Sequence, residues 1–404
     1  MLQQANQRFT KKMYECFHKY GLWIPVFLFC FTYILVYLKW GINITSGDAT
    51  AYIEGARRLL ADMPLIDWRS KRSIGYELII ALNYWLNFGN TGVIFFQVII
   101  NALAAVAIYD LCRGLSGKAT GILAASFYVV YPDVVQWTYI VMTESVFTAG
   151  LILSCWAYYR IQMNSNSIWK QTLVIILWVY MSIIRPNGWF MLPLFGVLSA
   201  INLINKGKIK LANQFIIILT ILTIIAHWGP YFAGVIQDNA AQMITSAFNA
   251  EYYDYLINGV VMLNAPDNNI QMPITEMNVE PSLISYLLYC IRYPFDSMNL
   301  FIHRIFHTTI FSSPYFSITH NKVINISIPI LYILAFIGMI NKKNEPVTTL
   351  ILSIVVIQLV IISITVGWSG IRYWVYVLPL ITMYSAIGVK VTVKLLFYKT
   401  KIII

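Results

Sequence analysis

Long apolar runs follow one another along this chain, and its charged residues are confined to the stretches between them. Few folds tolerate that pattern. A bilayer core takes about 20 apolar residues per helix, and a segment surrounded by lipid must satisfy its own backbone polar groups, as a helix does. Spans are predicted at approximately 22–39, 91–112, 118–138, 143–160, 170–185, 187–205, 213–235, 323–341, 347–367 and 371–391. Composition agrees. Only 11% of residues are charged and 59% are hydrophobic, whereas a soluble domain carries about 25% charged residues. Lipid must therefore replace water around much of the chain. The expected fold class is an all-α polytopic membrane protein of about ten transmembrane helices, one transmembrane domain over residues 1–404.

A net charge of +11 in a soluble protein would suggest nucleic acid. Here the bases flank apolar spans, so membrane lipid is the expected partner and nucleic acid is not. Arg8, Lys11, Lys12 and Lys19 precede the first span. Arg113 and Lys118, then Arg160 and Lys170, then Lys206, Lys208 and Lys210, then Lys342 and Lys343 fill alternate short loops. Excess Lys and Arg in short loops marks the cytoplasmic side, which places both termini inside. The first run lacks a small-residue cleavage site after it and reads as a retained anchor. The five cysteines are scattered without a C-x-x-C pair, so neither a disulfide framework nor a cysteine metal site is expected.

Two outer loops are too long for connectors, residues 40–90 and 236–322. Long loops in compact domains are usually functional. In the first, Tyr52, Ile53, Ala56, Leu59 and Leu60 recur at helical spacing, and the stripe suits a helix lying on the membrane surface. Asp48 heads it. A carboxylate there either caps orphan N–H groups or serves as a base at the membrane face, and the two roles are compatible. Arg69, Lys71 and Arg72 follow, suited to a phosphate near the bilayer or to lipid head groups. Gly75-Tyr76 then opens a second apolar-periodic helix.

Ionisable residues at membrane depth are costly and are functional candidates by default. Glu144 opens span four, where the helix dipole also favours an acid. Arg185 and Arg372 lie at the less basic surface, which calls for an anionic partner, either a substrate phosphate or a protein acid. Asp110 is placed to pair with Arg113 at i,i+3. His303 and His307 are spaced to chelate zinc, but no third ligand stands near and an interfacial helix is the expected reading.

These motifs taken in order resemble the GT-C superfamily of glycosyltransferases, most of all its branch of protein O-mannosyltransferases and bacterial lipid A aminoarabinose transferases. The resemblance rests on Asp48, Tyr52 and Ala56; Gly75-Tyr76-Glu77-Leu78; Tyr131-Pro132; Thr143-Glu144; Arg185-Pro186-Asn187-Gly188; and Gly370-Ile371-Arg372-Tyr373 with Pro379. It implies a polyprenyl-phosphate sugar donor and transfer to a hydroxyl of a glycan, lipid or protein acceptor on the outer face. It implies inverting displacement, metal-independent or weakly metal-assisted, with Asp48 as general base and Glu144 assisting. Arg69, Arg72, Arg185 and Arg372 would bind the donor phosphate, and Tyr52, Tyr76 and Tyr373 the substrate. The first outer loop would be catalytic and residues 236–322 would recognise the acceptor. No cofactor is assigned, and a divalent cation stays open. A bacterial cytoplasmic (inner) membrane is the expected location. Departures from the family are Ser73-Ile74 in place of Pro-Pro, and His227-Trp228-Gly229-Pro230-Tyr231 without the usual arginine. The competing classes are a lipid-linked oligosaccharide polymerase, ligase or flippase, and a solute transporter. A transporter would favour inverted repeats or broken midplane helices, which the sequence does not display.

Overall fold

The computed structural model describes residues 21–42, 47–63, 73–163, 168–185, 187–205, 255–263, 270, 283–310, 317–365, 367–368 and 372–402. The predicted span at 213–235, about half of the second outer loop, and Arg69 and Arg72 lie outside the described residues. The chain is a polytopic all-α membrane protein. Its described helices are α1 (Trp23–Trp40), α2 (Gly47–Leu60), α3 (Ile74–Trp85), α4 (Gly89–Ser116), α5 (Lys118–Val130), α6 (Thr143–Met163), α7 (Ile168–Ile184) and α8 (Asn187–Asn205). Then follow α9 (Leu283–Arg292), α10 (Pro294–Ile310), α11 (Ile318–Asn341), α12 (Pro346–Ile364) and α13 (Leu378–Ile402). Among the described residues, α1, α4, α11, α12 and α13 contain stretches long and apolar enough to cross a bilayer.

Two predicted spans differ in extent, each because of a proline. Span three was expected over 118–138, but α5 ends at Val130. Tyr131 is extended, as a residue preceding proline tends to be, and the chain continues as a turn of helix at Pro132–Val135 and a 3-10 turn at Gln136–Tyr139. The last span was expected from 371. Instead residues 372–377 are turns and α13 begins at Leu378. Pro379 then falls in the first helical turn, where a missing N–H costs nothing.

The helices pack through small residues and short polar bridges, since lipid offers no hydrophobic drive between them. A Cβ on Gly388 of α13 would overlap the Leu334 carbonyl of α11, and one on Gly338 of α11 would overlap the Tyr384 carbonyl. The two backbones therefore touch, and Ser385 Oγ donates to the Leu331 carbonyl at 2.7 Å. The outer-loop helices α2 and α3 pair edge-on through Tyr52 and Tyr76, ring centroids 5.5 Å apart. Gly55 lets α2 lie directly on the Glu77 carboxylate. Tyr76 Oη donates to Gln97 Oε1 of α4 at 2.9 Å, and Gln97 Nε2 donates to the Thr138 and Ile140 carbonyls. One buried amide thus ties the loop pair to α4 and to the segment entering α6. At the opposite end, Asp110 pairs with Arg113 as expected, and also takes Arg160 and the Trp156 indole.

A second, smaller core of Leu256, Val261, Tyr286, Tyr289 and Leu300 lies under α9 and α10. The opposite faces of these two helices expose Leu287, Ile291, Phe295, Met298 and Ile302, the stripe of an interfacial helix pair. A short parallel pairing matches Met262 with Gly367 and Leu263 with Trp368.

Candidate active site

Four chain segments bring one ionisable residue each to a common point. Asp48 comes from the first turn of α2, Glu144 from the first turn of α6, Arg185 from the end of α7, and Arg372 from the turns before α13. Arg372 is the bridge. Its Nε donates to Glu144 Oε1 at 2.5 Å and its Nη2 to Asp48 Oδ2 at 2.5 Å. Arg185 Nη1 lies 3.1 Å from Glu144 Oε1 and donates to Thr143 Oγ1 at 2.5 Å. The Thr143 hydroxyl in turn donates to Glu144 Oε2 at 3.2 Å.

The cluster holds two acids and two bases, so it is formally neutral, as burial demands. Glu144 is fully buried, and its side chain is the least exposed of the four. The Asp48 side chain keeps 22% exposure and is the most accessible. Burial works against both arginine charges, but Glu144 together with the neighbouring tyrosines, and Asp48 for Arg372, outweighs it and holds both guanidiniums protonated. Aromatic faces complete the surroundings. The Arg185 guanidinium sits 4.7 Å from the Tyr376 ring centroid, and Arg372 sits 5.9 Å from that of Trp137. Such contacts favour a desolvated cation.

The helix ends are locked where the cluster forms. Asn187 Nδ2 donates to Gln358 Oε1 at 3.1 Å, and Gln358 Nε2 donates to the Tyr373 carbonyl at 2.6 Å. One amide of α12 therefore fixes both the start of α8 and the turn bearing Arg372. Behind Glu144, Asn101 Nδ2 donates to Ser145 Oγ at 2.7 Å, while Asn101 Oδ1 accepts from Tyr128.

The structure thus assembles Asp48, Glu144, Arg185 and Arg372. Both arginines contact a protein acid, Glu144. Asp48 lies in the first turn of α2. Tyr52 and Tyr373 lie beside the cluster. Burial, followed by the Glu144 charge, raises the Tyr52 phenol above its usual range, and burial raises Tyr373 too. Tyr76 is fully buried with its hydroxyl on Gln97, which commits it to the α4 contact. Thr143, Trp137, Tyr376, Gln358 and Asn187 were not singled out as site residues. The signal that could have found Gln358 is an amide in the middle of an apolar span.

Arg372 bridges the two carboxylates of the cluster. Among the described residues, no group of three or more His, Cys, Asp or Glu is placed to hold a metal. The His303 and His307 rings stack on α10 with centroids 6.0 Å apart.

Comparisons with known proteins bear on this arrangement. Residues 71–231 match the family model described as dolichyl-phosphate-mannose-protein mannosyltransferase. No curated protein sequence matches the chain. Among solved structures, the fold is similar to the archaeal oligosaccharyltransferase AglB from Archaeoglobus fulgidus in complex with an inhibitory peptide and a dolichol-phosphate, with a TM-score of 0.52, 11% identity and 95% of this chain covered. It is also similar to the Archaeoglobus fulgidus oligosaccharyltransferase tethered to an acceptor peptide containing the NVT sequon, with a TM-score of 0.50, 10% identity and 93% of this chain covered. The chain spans about half the length of these structures, 52% and 50%. The family match covers 161 of the 404 residues, and the two solved structures, at 11% and 10% identity, show a shared fold over nearly the whole chain.

Proposed function

We propose that this protein is a membrane glycosyltransferase that takes a sugar from a polyprenyl-phosphate donor and transfers it to a hydroxyl acceptor at the outer membrane face. The observation that carries the reading is the bridge from Arg372 to Asp48 and Glu144, in which four distant segments converge on a mixed-charge cluster at one end of the helices. The family match over residues 71–231 and the fold support it.

In this reading the acceptor hydroxyl loses its proton to Asp48 as its oxygen attacks the anomeric carbon. The bond from that carbon to the lipid phosphate breaks on the opposite side, so the configuration inverts. The departing phosphate gains charge, and Arg372 and Arg185 are the groups placed to stabilise it. Donor phosphate competing for Arg372 would loosen its hold on Asp48 when the donor is bound. Glu144, fully buried between both arginines, keeps them charged and aimed. Residues 236–322 serve acceptor recognition in this reading.

The test is incubation of the purified full-length protein with a polyprenyl-phosphate sugar and a panel of hydroxyl acceptors. Release or transfer of the sugar supports the proposal. Movement of the intact donor lipid across proteoliposomes without bond cleavage would replace it with a flippase.

A further inference from the structure

Arg304 is fully buried on α10, outside the cluster described above, and neither the sequence reading nor the proposed chemistry uses it. Its guanidinium is spread over backbone carbonyls from two directions. Nε donates to the Val260 carbonyl at 3.0 Å and Nη2 to that of Tyr255 at 3.1 Å. Nη1 donates to the Ser363 and Ile364 carbonyls at 3.1 and 3.2 Å. The latter two belong to the last turn of α12, where carbonyls lack intrahelical partners and the dipole favours a cation. Tyr286 of α9 donates to the same Ile364 carbonyl at 2.6 Å. Burying the cation is costly, and it lowers the Arg304 pKa to about 10. A side chain kept in place at that cost is doing something that a small apolar residue could not.

The two carbonyl pairs flank one structure. Tyr255 and Val260 close the turn that leads directly into Met262-Leu263. Ser363 and Ile364 end the helix that leads directly into Gly367-Trp368. Those dipeptides pair in parallel, and Arg372 follows four residues beyond Trp368. On the other side of Arg372, Gln358 holds the Tyr373 carbonyl. Arg372 therefore lies four positions after one held pairing and one position before one held carbonyl.

We infer that Arg304 is a positioning residue for the anion site, clamping the 255–260 turn to the end of α12 so that the Met262-Leu263 and Gly367-Trp368 pairing sets where Arg372 enters the cluster. The inference rests on the proposed donor chemistry only for its consequence, since the clamp itself is geometry. It also assigns part of the second outer loop to donor phosphate rather than to acceptor. A planar guanidinium reaches four carbonyls where an ammonium cannot.

The test uses full-length protein, hydrogen exchange and binding of polyprenyl monophosphate as the probe. In Arg304→Met, amides of residues 372–377 should exchange at least about tenfold faster, while those of the remote helix at residues 118–130 stay unchanged. Affinity for polyprenyl phosphate should fall by about tenfold, with Arg304→Lys intermediate in both readouts. Unchanged exchange at 372–377 overturns the clamp, and faster exchange there with unchanged affinity overturns its link to the anion site. Where Arg304→Met exchanges rapidly everywhere, Arg304→Lys is judged by the same two criteria. Failure of the wild-type protein to bind polyprenyl phosphate removes the functional reading and the link with it, and exchange at 372–377 then judges the clamp alone.

Discussion

Replacing Glu144 with Gln should destabilise the protein more than any other single substitution in the cluster. The side chains are nearly the same shape, so the change isolates charge. Glu144 Oε1 accepts from Arg372 and lies within reach of Arg185, and Oε2 accepts from Thr143. A neutral amide in its place leaves two buried guanidiniums facing one carboxylate, Asp48, whose side chain is 22% exposed. Removing one partner of a buried pair costs about 3–5 kcal/mol, because the remaining charge loses its compensation. Solvent offers little relief, since the Arg185 and Arg372 side chains are only 9% and 10% exposed. A large domain loses roughly 2 °C of melting temperature per kcal/mol, so Glu144→Gln in detergent should melt about 6–10 °C lower. Adding Arg185→Gln restores neutrality, and the double variant should recover part of the loss, a coupling on the order of 0.5–3 kcal/mol. The assay is thermal unfolding of wild type, both single variants and the double variant. Glu144→Gln melting within about 1 °C of wild type, or strictly additive losses in the double, would refute the neutral-cluster argument.

Asp48→Asn should melt closer to wild type than Glu144→Gln does, because Asp48 is more exposed. Under the proposed chemistry it should slow sugar transfer by at least roughly a hundredfold, and near-native transfer would remove Asp48 as the base. Arg372→Ala should weaken polyprenyl-phosphate binding by on the order of 2–5 kcal/mol, read by titration of the purified protein, and normal affinity would take Arg372 out of the phosphate site. Gly388→Leu should force α11 from α13, since even a Cβ overlaps the Leu334 carbonyl. Its yield and melting temperature should fall together, whereas an unaffected variant would show that the close approach does not matter. Cysteines introduced at Asn269 should label with an impermeant reagent in intact cells and those at Asn205 should not, and equal labelling would contradict the orientation drawn from the basic loops.

Helix positions were legible because hydropathy is local. Trp23–Trp40, Pro346–Ile364 and Asn187–Asn205 lie within a few residues of where the apolar runs placed them. The candidate residues at helix ends were legible for the same reason, since an acid opening α6 and an arginine closing α7 are unusual where they stand. Their partners were not legible. Asp48 and Arg372 are 324 positions apart, and Glu144 and Arg372 are 228 apart. Only the packing of whole helices decides that Arg372 meets both acids. The sequence could say that an anion was needed at Arg185 and Arg372, and left open whether it was a phosphate or a carboxylate. Arg304 was missed because its acceptors are backbone carbonyls, which carry no sequence signature. The late start of α13 was readable, since Pro379 marks a first turn, but the apolar run from Ile371 masked it.

The order of the cluster's members along the chain has a consequence for assembly. Synthesis delivers the N-terminal part first. Asp48, Glu144 and Arg185 are all present once α8 has entered the membrane, and at that stage two acids of the cluster share one base. Arg372 is made last, just before α13, and it joins Glu144 to Asp48. A chain that stops short of its final helix is therefore left with an unbalanced negative charge at the very point where the finished protein is neutral. That mismatch is a chemical difference between an incomplete copy and a complete one, located at the cluster itself.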